Sequence, residues 1–209
     1  MKKLENIDFL IFDLGNVIID IDYAFTINTL KNLLSDDKHI LTNSFFPAKF
    51  HKDFEKGLIS AEEFRNAVRN HFQEDWSDAL IDELWNSLLK HIPMERIELI
   101  KELGKDFGLA VLSNTNSIHV DKLDQILLED TGEASLNVLF DRVFFSHEMG
   151  LSKPDEEIYK SVIQELGVQP ERTLFFDDLL ENLNGAKKVG LQTFHINHDK
   201  ALIRFFQDV

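Results

Sequence analysis

The sequence predicts an α/β protein: a parallel five-stranded sheet flanked by helices, with an inserted α-helical bundle after the first strand. Three observations carry this reading. An apolar run, Ile7–Phe12, broken only by Asp8, stops at Asp13. The stretch after Asp22 has helical periodicity and no strand in it. From Pro93 onward helix and strand alternate, which implies parallel strands joined by helical crossovers and covered on both faces. A chain of 209 residues suits one large domain carrying a smaller insertion. The expected division is 1–19 with 92–209 for the sheet domain and 20–91 for the bundle.

The elements follow in order. Ile7–Phe12 is too short and too aromatic for a helix, so it reads as a buried strand. Tyr23–Leu34 places Phe25, Ile27, Leu30, Leu33 and Leu34 at helical spacing. Phe45–Phe54 is expected as a second helix, ending near Gly57. Ser60-Ala61-Glu62-Glu63 has the form of a capping box and opens a third, with Phe64, Ala67, Val68, His71 and Phe72 on one face. Ser77–Lys90 is a fourth, striped by Leu80, Ile81, Leu84, Trp85, Leu88 and Leu89. Four amphipathic helices in succession read as a bundle.

The second half is expected to run helix Met94–Leu103, strand Leu109–Leu112, helix Ile118–Leu128 and strand Val143–Phe145. Helix Asp155–Leu166 follows, closed by Gly167, then strand Thr173–Phe176. Helix Asn182–Val189, closed by Gly190, leads to strand Gln192–Ile196. Glu129–Leu136 is polar and is expected to be a surface loop.

Composition narrows the function classes. Hydrophobic residues make up 44% and charged residues 28%, and 18 phenylalanines imply a well-filled core. With no cysteine, disulfides and thiolate metal sites are excluded, and a cytoplasmic, reducing setting is expected. Met1-Lys2-Lys3 resembles the start of a signal peptide, but the apolar run after it is too short and ends at Asp13. No segment is long enough to span a bilayer as a helix. A net charge of −15 argues against nucleic acid and anionic membranes as partners. Nothing calls for an obligate protein partner. An anionic substrate would need a locally built site, with a lysine, a divalent cation or aligned N–H groups.

Polar residues stand at the ends of the strands. Phe12 is followed by Asp13, Leu112 by Ser113-Asn114, Phe145 by Ser146, and Phe176 by Asp177-Asp178. Such residues converge on the carboxyl edge of a parallel sheet, where α/β proteins bind ligands. Lys153 precedes a helix. Each has an ordinary structural role open to it: Asp13 could start a turn, Ser113, Asn114, Asp177 or Asp178 could cap a helix, and Lys153 could be solvated. The set is more specific than its members. A carboxylate can attack phosphorus; a hydroxyl and a lysine can hold the equatorial oxygens. An acid pair can hold Mg²⁺, which quenches repulsion between nucleophile and phosphate. The eight histidines show no paired metal-ligand spacing.

In these residues the sequence resembles the haloacid dehalogenase (HAD) superfamily, over nearly its whole length. Phe12-Asp13-Leu14-Gly15-Asn16-Val17 looks like the first motif and Val111-Leu112-Ser113-Asn114 like the second. Lys153-Pro154-Asp155 is similar to the third, and Phe176-Asp177-Asp178, with Asn182 and Gly185-Ala186, to the fourth. The bundle resembles an α-helical C1-type cap. The DLGNV form and Glu55-Lys56-Gly57-Leu58-Ile59-Ser60 resemble the branch containing α-glucose-1-phosphate phosphatases and the phosphatase domain of soluble epoxide hydrolase.

The resemblance implies a Rossmann-like sheet of order 5-4-1-2-3 and a Mg²⁺-dependent phosphatase acting on a small phosphorylated metabolite, a sugar phosphate. Asp13 would be the nucleophile and a metal ligand, with the Gly15 carbonyl and Asp178 as further ligands and Asp177 acting through a bound water. Ser113, the Asn114 N–H and Lys153 would bind the phosphoryl group.

One residue departs from the pattern. HAD phosphatases usually carry an aspartate two residues after the nucleophile, as general acid and base, and here that residue is Gly15. Loss of such a group costs about 10²–10⁴-fold. Either the leaving group needs little protonation, as an anomeric hydroxyl does, or the insert lends an acid, with His51 and Glu55 as candidates. Two alternatives use the same residues: a phosphate-binding or regulatory protein with little turnover, and a 2-haloacid dehalogenase, against which the acid pair speaks. A phospho-acceptor receiver domain would need these groups in another order.

Overall fold

Successive residues of the central strands are buried on opposite faces of the sheet, and each face has its own helices. The computed structural model describes residues 4–207; Met1, Lys2 and Lys3, the basic start of the sequence, lie outside them. The chain opens with β1 (Phe9–Phe12) and four helices, α1 (Tyr23–Leu33), α2 (Lys49–Glu55), α3 (Ala61–Phe72) and α4 (Asp78–Asn86). Then come α5 (Met94–Leu103), β2 (Gly108–Ser113), α6 (Ser117–Thr131), β3 (Arg142–Phe145) and α7 (Ser146–Met149). The last stretch holds α8 (Glu156–Leu166), β4 (Thr173–Asp177), α9 (Leu180–Lys188), β5 (Gln192–His195) and α10 (Ala201–Gln207).

The strands pair in parallel in the order β3-β2-β1-β4-β5, the expected 5-4-1-2-3 read from the other edge. Leu10, Phe12, Val111 and Phe176 face α5, α6 and α10 through Ile97, Ile100, Leu127, Leu202 and Phe206. Ile11, Ala110, Leu112 and Phe175 face α8 and α9 through Ile158, Tyr159, Val162, Leu183 and Ala186. Strands buried on both faces are near-continuous apolar runs for this reason.

The helical insert has its own cluster, in which Phe45, Phe54, Phe64, Phe72 and Trp85 pack with Leu30, Val68 and Ile81. Ile118 of α6 joins it. The segments entering and leaving the insert pair with each other: Ile21 bridges Leu89, and Asp20 N–H donates to the His91 carbonyl at 2.9 Å. Arg96, 2% exposed, ties this ribbon to the sheet domain through Asp20 Oδ1 at 2.8 Å and the carbonyls of Ile18 and Asp199.

Most elements lie where the pattern places them, including the Ser60–Glu63 capping box. The differences have local causes. The helix expected over Phe45–Phe54 begins only at Lys49, after a 3₁₀ stretch over Asp36–Ser44. Pro47 disfavours helical backbone at the residue before it. The first strand starts at Phe9 rather than Ile7. The helix expected to reach Lys90 ends at Asn86, because the backbone of Leu88 and Lys90 is taken up by Asp22 and Asp20. Glu129–Leu136 is not a surface loop throughout: α6 continues to Thr131, and Leu136, 3% exposed, fills the core under β3. The last helix, α10, was not expected. Among the described residues no helix is long and apolar enough to cross a membrane.

Candidate active site

β1, β2 and β4 are adjacent, so Asp13, Ser113 and Asp177 end neighbouring strands at one edge of the sheet. The Asp13 N–H extends the ladder by donating to the Phe176 carbonyl at 2.9 Å, which fixes where its side chain starts. Asp13, Asp177 and Asp178 each offer an oxygen, and these lie within 4.8 Å of one another.

Lys153 is far from a solvated lysine: it is 4% exposed. Its ammonium donates to Asp13 Oδ1 and Asp177 Oδ2, both at 2.7 Å, and to the Leu112 carbonyl at 3.0 Å. Three acceptors match its three protons. Asn114 holds the lysine's backbone at both ends, with Nδ2 donating to the Lys153 carbonyl and Oδ1 accepting the Lys153 N–H, each at 2.9 Å. Gly185 makes room behind this loop, since a Cβ there would meet the Pro154 carbonyl oxygen at 2.3 Å. The Asn114 side chain is thus engaged in positioning Lys153. The cap of α6 is Asn116, whose Oδ1 accepts the His119 N–H.

The two adjacent aspartates have different surroundings. Asp177 is fully buried and accepts from Lys153, Asn182 Nδ2 and the Leu179 N–H. Asp178 accepts from Asn16 Nδ2 at 2.9 Å, and Asn16 adopts a left-handed backbone (φ 56°). Asp177 therefore organises the start of α9, while Asp178 keeps more of its coordination capacity. Asn182 and Asn16 belong to the motifs quoted above, but the pattern assigned them no role. Asn182 sits five residues after Asp177, on the first turn of α9, which is the spacing that lets it face back.

Burial pushes the Asp13 carboxyl up, to about 7, with Asp177 and Asp178 adding to the effect and Lys153 opposing it. Burial likewise raises Asp178. Burial would lower the Lys153 ammonium, but Asp13 and Asp177 outweigh it and hold it above its ordinary value. Three hard oxygen donors gathered in a buried site fit a divalent cation such as Mg²⁺.

Above Gly15 lies a cavity of about 70 Å³ between the sheet domain and the insert. Gly15, Ile21, Ser113, Asn114 and Thr115 line it, together with Tyr23, His51, Glu55 and His119. A Cβ on Gly15 would sit 3.2 Å from Ile21 Cδ1 and 3.9 Å from Asp13 Oδ2. Ile21 thus occupies the space beside Asp13 that an aspartate here would enter. The Tyr23 phenol, on a residue 49% exposed, is held above its ordinary value by partial desolvation, with Glu55, Asp178 and Asp13 contributing.

The insert is fastened over this cavity. Trp85 Nε1 donates to Asn116 Oδ1 at 3.2 Å, His119 Nε2 donates to the Trp85 carbonyl at 3.1 Å, and the two rings stack at 4.9 Å. Burial holds His119 down, to about 4, so it is neutral. Ser146 Oγ accepts the Thr115 N–H and donates to the Glu55 carbonyl at 2.5 Å. Gly57, at φ 66°, lies against the His147 carbonyl. Ser146 ends a strand as expected, but its link to Glu55 is a contact over 91 positions that no local pattern reveals.

Residues 7–190 match the haloacid dehalogenase-like hydrolase family. The chain is 26% identical over 185 residues to D-ribitol-5-phosphate phosphatase of Bacteroides thetaiotaomicron, covering 88% of this chain and 89% of that one. Among solved structures it resembles a HAD family enzyme from the same organism in its magnesium complex, with 31% identity and a TM-score of 0.84, covering 91% and 93% of the two chains. That enzyme's wild-type form has also been solved with magnesium and inorganic phosphate. A predicted HAD-like family hydrolase of Porphyromonas gingivalis superposes with a TM-score of 0.86 at 28% identity, over 97% of each chain.

Proposed function

This chain belongs to the haloacid dehalogenase-like hydrolases, and from that membership we propose a Mg²⁺-dependent phosphatase of a small phosphorylated metabolite, a sugar or polyol phosphate. The observation that carries the reading is the buried Lys153 ammonium shared by Asp13 and Asp177, with Asp178 beside them. In this reading a nucleophilic carboxylate, a fixed cation and a further acid stand together at the strand ends, beside the Gly15 and Ser113 that line the cavity.

In this reading an oxygen of Asp13 attacks phosphorus and forms an aspartyl phosphate as the ester P–O bond breaks. Lys153, the Ser113 hydroxyl and the Asn114 N–H bind the phosphoryl oxygens. Asn114 also keeps Lys153 in place through its side chain. Asp13, the Gly15 carbonyl and Asp178 would ligate Mg²⁺, and Asp177, engaged by three protein donors, would act through a bound water. The bound ion supplies positive charge that lowers repulsion between carboxylate and phosphate. Residues 1–19 and 92–209 would form the catalytic core and 20–91 the cap. The cap would close the cavity over the ester and limit the water around the reacting groups to what hydrolysis of the acyl phosphate requires. The cavity is small and sets Ser113, Thr115, Tyr23 and Glu55 among Ile19, Ile21, Leu88 and Leu89, which supports a compact leaving group with hydroxyls to bond, in keeping with the ribitol phosphate substrate of the relative.

The test is phosphate release from a panel of sugar, polyol, nucleoside and carboxylic-acid phosphates, with and without Mg²⁺, against Asp13→Asn. Metal-dependent release that Asp13→Asn abolishes is expected. Binding of phosphate esters without release would favour the regulatory alternative, and metal-independent activity on 2-haloacids alone would overturn the assignment.

A further inference from the structure

Glu55 and His51 sit one turn apart on α2, and both line the cavity above Gly15. His51 Nδ1 lies 2.6 Å from the Phe46 carbonyl, which can only accept, so Nδ1 carries a proton. His51 Nε2 lies 3.2 Å from Glu55 Oε1. Both atoms are acceptors when unprotonated, so at this separation they can share one proton. Trp85, edge-on to the imidazole at 4.8 Å, and Phe46 hold the ring in place. The backbone of Glu55 is fixed from the sheet domain by Ser146. The pair is therefore secured on the insert at the cavity that Gly15 also lines, and a Cβ on Gly15 would lie 3.9 Å from Asp13 Oδ2.

We propose that Glu55, positioned by His51, is the proton carrier of this enzyme, doing from the helical insert what Gly15 cannot do from the first strand. The proposal deepens the phosphatase reading and rests on it. In the first step the Asp13–phosphorus bond forms and the ester P–O bond breaks. The leaving oxygen takes the proton of the Glu55 carboxyl and departs as the alcohol. Glu55 is left as a carboxylate beside a neutral His51. In the second step water attacks the phosphoaspartate, its oxygen bonds to phosphorus, the Asp13–phosphorus bond breaks, and the water proton returns to the pair. Ile21 stands 3.2 Å from where a Cβ on residue 15 would lie, whereas Glu55 and His51 line the cavity directly. Glu55 is here the catalytic residue and His51 a positioning residue.

The test compares two leaving groups in the full-length Mg²⁺-loaded enzyme. One probe is p-nitrophenyl phosphate, whose phenolate leaves without a proton, and the other is the alkyl phosphate of the panel with the highest kcat/KM. Glu55→Gln is expected to lower kcat/KM for the alkyl ester by about 10²–10⁴-fold. The same variant should still give a pre-steady-state burst of nitrophenolate near one equivalent per chain, at about the wild-type rate, followed by slow turnover. His51→Gln should show the same split with a smaller loss. The burst reports folding and Asp13 chemistry together. An unchanged alkyl rate in Glu55→Gln overturns the proposal, as does a burst slowed as much as the alkyl reaction. Wild-type turnover of the aryl ester with none of any alkyl ester would also overturn it. Failure of the wild type on every ester would instead sink the phosphatase reading beneath it.

Discussion

Lys153 is the cation that lets Asp13 and Asp177 share a buried site, so removing it leaves two carboxylates facing each other without compensation. Lys153→Met should destabilise the protein by about 3–5 kcal/mol, the range seen when one partner of a buried ion pair is deleted. Mg²⁺ should restore more of the melting temperature in this variant than in the wild type, because the ion replaces part of the lost charge. Asp13 makes a related prediction. Its carboxyl, raised from 3.8 to about 7, keeps a proton in the folded state that the unfolded chain has already released. Stability of the metal-free protein should therefore fall as pH rises through that window. Melts in EDTA from pH 5 to 8 would show it, and Asp13→Asn should flatten the slope. Gly15→Asp tests the space beside Asp13, the proposed nucleophile. Ile21 must yield for the new side chain to fit, so Gly15→Asp with Ile21→Val should raise alkyl ester turnover more than Gly15→Asp alone.

At the scale of elements, the insert is joined to the sheet domain by particular polar contacts and by Ile118, which packs into its apolar cluster. Gly57 is a further contact: its φ of 66° and its approach to the His147 carbonyl both exclude a side chain, since a Cβ would fall 2.1 Å from that oxygen. Gly57→Ala carries at least the left-handed backbone cost of about 1–2 kcal/mol. It should loosen α2 over the cavity, raising KM about 5–30-fold, with faster amide exchange across α2 and little change in β1. How elements read from the sequence depended on what stabilised them. The central strands and the capped helix α3 were legible because burial and capping are local signals. The start of α2 and the end of α4 were not, because Pro47 and pairing with Asp20–Asp22 override helical periodicity. The buried Leu136 was missed for a similar reason, since its polar neighbours hide one core residue.

For the whole molecule, the net charge of −15 repels an anionic substrate at a distance while the site attracts it at contact. At fixed Mg²⁺ concentration, raising ionic strength from low values should therefore lower KM for a phosphate ester, because screening weakens the long-range repulsion more than the buried contacts. A rise in KM over that range would mean that local positive charge governs approach.

The sequence alone determined the architecture and the identity of the groups at the sheet edge. A strand buried on both faces must be apolar, so the first polar residue after it falls at the rim, and Asp13, Ser113 and Asp177 follow from that. The tertiary structure decided what those groups do to one another. Lys153 meets Asp13 across 140 positions, Asn114 clasps the lysine's backbone, Asp177 is taken up by Asn182 while Asp178 stays freer, and Glu55 is brought over Gly15. These pairings depend on how helices pack against the sheet and on which buried polar atoms must find partners. Local periodicity records that a residue is buried, but not which distant residue it will face.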